Sequence, residues 1–271
     1  MIENSKKAEK DIDIAEEFLN SYKFAAEELE ARSGYAPSKT ISPSSIKCIR
    51  TATFKLLGAS RDAKRTSETL AAICQNGSQR HENIQQVISK MESLGLKFKA
   101  INIGDYIREN NIPLSIKKES DFSKGEFETK LFSNDLITSF LADGMVEYNG
   151  KKYLIEIKTQ PFEVSMRQED VHDKHKEQAM AYCVLLHVDS VLFFYEERNF
   201  LGKKCFLFTP TKEELEYMKN KLVDINKFAK AKTIPVKPQE AIDNRSFCKY
   251  CDYSKLCSTC GDKECTYKEG I

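Results

Sequence analysis

The chain has 271 residues, with 42 Lys and Arg against 41 Asp and Glu, which leaves a formal net charge of +1. Apolar residues make up 41% and charged residues 31%, a balance that excludes wholesale disorder and permits a sizeable core. The near-neutral charge neither requires nor excludes nucleic acid binding, because such binding depends on the local field rather than on the sum.

No apolar run reaches the ~20 residues of a membrane-spanning helix, and the first residues lack the apolar stretch of a signal peptide. We therefore expect a cytoplasmic protein with no membrane contact, in a compartment where thiols stay reduced. Five of the nine cysteines fall between Cys248 and Cys265. In a reducing compartment this clustering indicates a metal site rather than disulfides.

The first third of the chain is predicted to be helical. Residues 10–32 carry an amphipathic pattern, and a Ser-Pro pair shortly before Cys48 predicts a short helix that carries this cysteine. Residues 67–95 predict one or two helices, with Gly77 as the point of interruption.

From about residue 126 the apolar pattern takes the period of a strand. The segments FETKLFS, LITSFLADGMVEY and KKYLIEIKT predict strands, and a helix is expected over residues 168–188. Two more strands, SVLFFYEER and KKCFLFT, precede an amphipathic helix over residues 211–230. This order predicts an α/β fold with a mixed central β-sheet flanked by helices, followed by a cysteine-rich tail.

The second and third strand segments flank Asn149-Gly150, the strongest short hairpin signal. A two-residue turn there places Asp143 opposite Glu156, with Cβ atoms ~5 Å apart, and Lys158 on the same face as Glu156. Opposed carboxylates repel unless a divalent cation such as Mg²⁺ or Mn²⁺ neutralises them. The hairpin therefore predicts a metal site with a lysine beside it. The alternative is a surface hairpin with a cross-strand Glu–Lys pair.

The predicted helix after the hairpin presents His175, Gln178, Tyr182 and Leu185 on one face. If this face packs on the hairpin, Gln178 and Tyr182 can position a phosphate group or an attacking water; otherwise they belong to the core. Upstream, His81 lies on an apolar helical stripe. A single histidine in that setting is more often a hydrogen-bonded core residue than a metal ligand.

The tail cysteines have a metal-binding spacing. Cys248, Cys251 and Cys257 supply three thiolates, whereas a 4Fe–4S cluster takes four. Cys48 can supply the fourth from roughly 200 residues upstream, and the alternative is a zinc site completed by Cys260. Spacing alone does not decide between them, and reduced thiols without a bound metal are a third alternative. The other cysteines in apolar segments are predicted to lie in the core: Cys74, Cys183 and Cys205.

Taken in order, these elements resemble the RecB-like branch of the PD-(D/E)XK nucleases, particularly the iron–sulfur nucleases related to the AddB exonuclease domain and the CRISPR-adaptation nuclease. The resemblance extends from residue 41 to Cys257. It rests on an early histidine, an aspartate, an E-x-K strand, a Q-x-x-x-Y helix and a split cysteine signature. These match His81, Asp143, Glu156-Ile157-Lys158, Gln178 with Tyr182, and Cys48 with Cys248, Cys251 and Cys257.

The resemblance implies three regions. They are an N-terminal helical region (1–100) carrying Cys48 and His81, a restriction-endonuclease-like nuclease core (101–232) and a cysteine-rich cluster-binding tail (233–271). The implied catalytic residues are Asp143, Glu156, Lys158, Gln178 and Tyr182. The implied ligands of Mg²⁺ or Mn²⁺ are His81, Asp143, Glu156 and the backbone carbonyl of Ile157. The implied ligands of a 4Fe–4S cluster are Cys48, Cys248, Cys251 and Cys257.

Several positions qualify the resemblance. Glu128 is similar to a carboxylate that some members carry on the strand before Asp143. Ile49 stands where members often have a proline after the first cysteine, and Cys260 and Cys265 lie beyond the usual signature, which leaves zinc or ligand exchange open.

The function that the resemblance implies is a metal-dependent DNA exonuclease of recombination, repair or replication. The sequence contains no helicase motif, so DNA unwinding would come from a helicase or another partner protein. Two alternatives stay open at this point. One is a non-catalytic DNA-binding scaffold that keeps the nuclease fold, and the other is a zinc-stapled endonuclease.

Overall fold

The computed structural model of the chain describes residues 18–25, 39–62, 68–122, 126–249 and 251–268. The chain divides into two compact units. One comprises Met1–Ala36 with Ala63–Ser78, and the other comprises Pro37–Asp62 with Gln79–Ile271. None of the helices in the described ranges is both long enough and apolar enough to cross a membrane.

Helices account for much of the described chain. Residues 18–25 are helical (α1), within the 10–32 segment that was predicted to be a helix, and the rest of that segment lies outside the described residues. The other helices are α2 (Ile49–Leu57), α3 (Glu68–Lys90), α4 (Ile103–Glu109), α5 (Phe162–Met166), α6 (Asp173–Leu186), α7 (Lys212–Lys230), α8 (Gln239–Asp243) and α9 (Ser254–Thr259).

Ten short strands form three sheets within the described residues. They are β1 (Lys99–Ala100), β2 (Ser115–Lys118), β3 (Thr129–Ser133), β4 (Thr138–Ala142), β5 (Gly144–Tyr148), β6 (Lys151–Gln160), β7 (Val191–Glu197), β8 (Lys203–Phe208), β9 (Thr233–Ile234) and β10 (Cys265–Thr266). The central sheet has the order β1-β5-β6-β7-β8, and it is mixed because β6 and β7 are parallel while its other neighbours are antiparallel. Strands β2-β3-β4 form a separate antiparallel sheet.

The predicted hairpin register is confirmed. Tyr148 pairs with Lys151 and Gly144 pairs with Ile155. Asn149 and Gly150 both have positive φ, 51° and 75°, as a type I′ turn requires. The two-residue turn therefore fixes which residues of β5 and β6 share a face.

The segment predicted as one strand, LITSFLADGMVEY, is two strands. β4 ends at Ala142 in the three-stranded sheet, and β5 begins at Gly144 in the central sheet. Asp143 is the single residue between them, and it is buried. The prediction of a continuous strand was wrong because the chain changes sheets at this residue.

Helices pack on both faces of the central sheet, which confirms the predicted mixed α/β fold. On one face Ile84 of α3 packs with Ile155 and Ile157 of β6. Since side chains alternate along a strand, Leu154, Glu156 and Lys158 point to the opposite face. There Leu154 packs with residues of α6 such as Ala179 and Leu186.

Of the one or two helices predicted over residues 67–95, the described residues form one α-helix. Helix α3 continues through Gly77, since a single glycine costs a helix only about 1 kcal/mol. Two other local predictions need correction. Cys48 is not carried by the helix that the Ser-Pro pair opens; that helix is a short 3₁₀ turn, Pro43–Ser45, and Cys48 is the N-cap of α2. Cys183 is buried as predicted, whereas Cys74 and Cys205 are exposed.

Candidate active site and cysteine cavity

Three side chains meet where the chain passes from β4 to β5. One ligand atom each from His81, Glu128 and Asp143 lies within 4.8 Å of the others. His81 comes from α3, Glu128 directly precedes β3, and Asp143 separates the two sheets. An imidazole and two carboxylates are a donor set that holds a divalent cation, so these residues form a candidate metal site.

Both the carboxylate and the backbone carbonyl of Asp143 accept hydrogen bonds. Its Oδ2 accepts a hydrogen bond from the backbone N–H of Ile157 (2.8 Å), and its backbone carbonyl accepts one from Gln85 Nε2 (2.6 Å). The β5–β6 ladder ends one pair earlier, at Gly144 and Ile155. Asp143 therefore does not continue the backbone ladder opposite Glu156, and its carboxylate contacts the main chain of β6 instead.

The predicted residues of β6 and α6 form one hydrogen-bonded network. Lys158 Nζ donates to Glu156 Oε1 and to Gln178 Oε1, the latter at 3.2 Å. Gln178 Nε2 donates to Glu156 Oε1 (2.7 Å) and to the Tyr182 hydroxyl (3.0 Å). That hydroxyl in turn donates to the Leu141 carbonyl (3.3 Å). The alternative of a simple surface Glu–Lys pair does not describe this site, because Glu156 is only 3% exposed.

The electrostatics of the site indicate an excess of negative charge. Burial and the nearby Asp143 raise the pKa of Glu156 to about 7, although Lys158 and His81 oppose the shift. Burial and Asp143 also raise the pKa of Glu128. Burial alone would lower the pKa of His81, but Asp143 and Glu156 outweigh burial and raise it. A bound cation would relieve the carboxylates of this mutual repulsion.

Glu156 also carries an unsatisfied atom. Its Oε1 is shared by Lys158 and Gln178, whereas the buried Oε2 has no hydrogen-bond partner among the described residues. Burial of a carboxylate oxygen without a hydrogen-bond partner costs free energy unless a cation or a proton binds to that oxygen. The residues present therefore fit a divalent metal ion.

Helix α3 is clamped next to the site. Arg80 makes two hydrogen bonds to Glu196 of β7, at 2.6 and 2.7 Å, and Glu196 is only 1% exposed. This fork-shaped pair fixes the turn of α3 that presents His81 and, one turn later, Gln85. Sequence reasoning missed Arg80 and Gln85, although Gln85 follows His81 at the i+4 spacing of one helical face.

The remaining residues of the predicted helix face lie near the site in different roles. His175 bonds the hydroxyl of Tyr195 through Nδ1 (2.8 Å), and burial, followed by Lys158, lowers its pKa to about 3. Burial raises the pKa of Tyr182 well above its ordinary value, so this hydroxyl stays protonated. The backbone carbonyl of Ile157 as a metal ligand stays a prediction.

A second site lies around the tail. Cys48, Cys248, Cys251 and Cys257 line one cavity of about 270 Å³. Burial and the nearby sulfurs of Cys251, Cys48 and Cys257 raise the pKa of Cys248, against the opposing effect of Lys237. Four sulfurs gathered at one cavity fit a bound metal or cluster that accepts thiolates.

The two remaining tail cysteines, Cys260 and Cys265, are joined in a disulfide. Our expectation that the tail cysteines serve a metal site rather than disulfides is therefore wrong for this pair. With its sulfur bound to Cys265, Cys260 cannot also act as the fourth ligand of the zinc alternative.

No protein-family model and no curated protein matches the sequence. Among solved structures, the fold is similar to the crystal structure of the protein SSO0001, with a TM-score of 0.43, 16% identity and coverage of 89% of this chain and 97% of that chain. It is also similar to an alkaline exonuclease (LHK-Exo) from Laribacter hongkongensis, with a TM-score of 0.39, 11% identity and coverage of 78% and 94%. These superpositions are loose, so the function proposed below rests on the residues of this chain.

Proposed function

We propose that the chain is a divalent-metal-dependent deoxyribonuclease. The observation that carries the proposal is the buried Glu156. One of its oxygens accepts hydrogen bonds from Lys158 and Gln178, and the other has no partner in the part of the chain that the structure describes. Burial and the nearby Asp143 raise the pKa of Glu156. A carboxylate pair with an adjacent lysine, a histidine and a Q-x-x-x-Y helix is the residue set of the nucleases that the sequence resembles.

Metal binding would use side chains from both sheets. His81, Asp143 and Glu156 are the proposed ligands from the sequence, and the geometry adds Glu128 because its carboxylate lies with His81 and Asp143. When bound, Mg²⁺ or Mn²⁺ supplies Lewis-acid activation of a phosphodiester group and of water. The hydrogen bond from the Ile157 N–H leaves the other oxygen of Asp143 available for the ion.

The other residues of the network have positioning and electrostatic roles. Lys158 Nζ, on a side chain that is 23% exposed, can reach an incoming phosphate and stabilise the charge that develops on it. Gln178 holds both Glu156 and Lys158, so it fixes the distance between carboxylate and ammonium. Tyr182 fixes Gln178 and, because its hydroxyl is protonated, acts as a donor and not as a base.

We also propose that Cys48, Cys248, Cys251 and Cys257 bind a 4Fe–4S cluster. Their common cavity supports four sulfur ligands at one place. The engagement of Cys260 in a disulfide disfavours the zinc alternative that needs it. The cluster has a structural role in this proposal, since it joins the start of α2 to the tail.

The choice of DNA as substrate, and of attack at ends, rests on the family resemblance. It is tested by digestion of end-labelled linear and circular DNA, single- and double-stranded, with Mg²⁺, Mn²⁺ or EDTA. We expect metal-dependent release of nucleotides from linear DNA and none by the Glu156→Ala variant. Cleavage of circular DNA would show that the protein is an endonuclease and not an exonuclease. Binding without cleavage under all conditions would favour the non-catalytic scaffold.

A further inference from the structure

The cysteine cavity contains a buried arginine. Arg50 lies at the start of α2, two residues after Cys48, and its side chain is fully buried. Its guanidinium donates to three backbone carbonyls, those of Pro235 (2.6 Å), Gly261 (2.6 Å) and Lys263. The same Nη1 that reaches Gly261 also lies 3.3 Å from the sulfur of Cys257.

Arg50 has no carboxylate partner among the described residues. The carboxylate that also lines the cavity, Asp262, pairs with Lys237 at 3.3 Å. A buried guanidinium that is met only by neutral carbonyls and a protonated thiol leaves a positive charge without compensation, which is costly in a protein interior. Among the partners of Arg50 in the described ranges, the sulfur of Cys257 is the one that can become an anion.

We propose that Arg50 is the counter-cation of the loaded cysteine site, and that it positions Cys257 and raises the reduction potential of the cluster. The inference rests on the proposed cluster at these cysteines. A cluster with four thiolate ligands carries a net negative charge, and hydrogen bonds and charge next to its sulfurs set its potential. Arg50 supplies both, since it is a fixed cation and a donor to one ligand sulfur.

The shape of arginine suits this place better than that of lysine. Its planar fork reaches three carbonyls and one sulfur at once, whereas an ammonium on a flexible stem cannot fill all four positions. Two of the carbonyls, Gly261 and Lys263, belong to the loop that the Cys260–Cys265 disulfide closes. Arg50 therefore connects α2 to the tail independently of the cysteines.

The experiment compares the full chain with Arg50→Gln and Arg50→Lys after anaerobic reconstitution with iron and sulfide. Arg61→Gln is the matched control, because Arg61 is a partly exposed arginine 3.9 Å from Asp252 of the tail. Iron content, the rate of iron loss to a chelator and the reduction potential are measured, together with the melting temperature of each metal-free protein. These readouts do not depend on DNA cleavage.

We expect Arg50→Gln to have a lower reduction potential and to hold iron about 10- to 100-fold less tightly, the usual effect of removing a group that supports a ligand, which is observed as faster loss of iron to the chelator. Arg50→Lys keeps the charge and should show a smaller fall in potential, and Arg61→Gln should match the wild type. A loaded Arg50→Gln protein with wild-type potential and iron retention would overturn the assignment. A wild-type chain that binds no iron would instead remove the proposed cluster, and this inference with it.

A spectroscopic measurement keeps the test independent of how well Arg50→Gln folds. In wild-type protein labelled with ¹⁵N-arginine, electron spin-echo spectroscopy of the reduced cluster should detect coupling to an arginine nitrogen. The coupling should be absent from labelled Arg50→Lys and unchanged in labelled Arg61→Gln. Its absence from the wild type would show that Arg50 does not contact a ligand sulfur.

Discussion

The two candidate sites of this chain carry uncompensated charge of opposite sign. At the β4–β5 junction, Asp143 and Glu156 raise the pKa of His81, and one oxygen of Glu156 is buried with no partner among the residues that the structure describes. In the cysteine cavity, Arg50 is a buried cation that no carboxylate in the described part of the chain pairs with. The first site needs a cation and the second needs an anion, which a divalent metal ion and a thiolate-bound cluster would supply.

The two sites also differ in how their residues are brought together. Asp143 and Glu156 are joined by a single hairpin turn, while Cys48 and the tail cysteines come from opposite ends of the chain. Loss of a ligand at the hairpin should therefore remove chemistry and spare the fold. Loss of a ligand in the cavity should instead lower the stability of the fold, and reduce activity only as the fold is lost.

The largest effect is expected from Asp143→Asn. We expect cleavage to be abolished while the melting temperature is unchanged or higher, because one of two repelling carboxylates is removed and the amide oxygen can still accept the Ile157 N–H. Activity and thermal melting are measured beside Asp105→Asn, which changes an exposed carboxylate on α4. An Asp143→Asn protein that unfolds would show that this site, like the cavity, stabilises the fold.

Cys48→Ser tests the other half of the comparison. A link between residues so far apart is worth roughly 5 kcal/mol by analogy with a cross-link, equivalent to roughly 10 to 20 °C of melting temperature in a chain of this size. We expect iron, colour and thermal stability to be lost together, whereas Cys205→Ser, at an exposed cysteine on β8, should lose none of them. Full metal content in Cys48→Ser with loss in Cys260→Ser would instead indicate a zinc site in the tail.

Lys158→Met should give an intermediate effect. Removal of a donor that stabilises charge on the reacting phosphate costs about 100- to 1000-fold in kcat. Metal binding should be kept, because Gln178 still holds Glu156. The measurement is kcat together with the Mn²⁺ dependence of the rate. A variant that loses metal affinity but regains full kcat at high Mn²⁺ would show that Lys158 supports the metal site and does not act on the phosphate.

The smallest effect is expected from Gln85→Leu, which removes the hydrogen bond to the Asp143 carbonyl. Groups that orient a metal ligand typically contribute about 10- to 100-fold in metal affinity. We expect a higher Mn²⁺ requirement with kcat restored at saturating metal. Gln86→Leu, at the exposed neighbouring position, is the matched control, and an equal response of both variants would show that α3 is only a surface helix here.

What the sequence predicts best is the part of the site built from local chain geometry. The Asn149-Gly150 turn fixes the register of β5 and β6, and the i+4 spacing places Gln178 and Tyr182 on one face of α6. Both follow from dihedral preferences and helical period, which do not depend on distant residues. The α/β fold with a mixed sheet flanked by helices could be predicted for the same reason.

The parts that the sequence could not supply depend on long-range packing. No local pattern distinguishes a continuous strand through Asp143 from two strands in different sheets. Arg50 lies next to a predicted ligand, but its acceptors at Pro235, Gly261 and Lys263 are set only when the tail folds against α2. The Arg80–Glu196 pair likewise joins α3 to β7 across more than a hundred residues.

The central claim is that a divalent cation binds beside Oε2 of Glu156. Crystals soaked in Mn²⁺ and measured at the manganese absorption edge test this claim most directly. We predict an anomalous peak in contact with Asp143, Glu156 and His81, and no such peak in Asp143→Asn crystals. Wild-type crystals that show no manganese there at saturating Mn²⁺, with Glu156 Oε2 hydrogen-bonded to water or protein, would contradict the account.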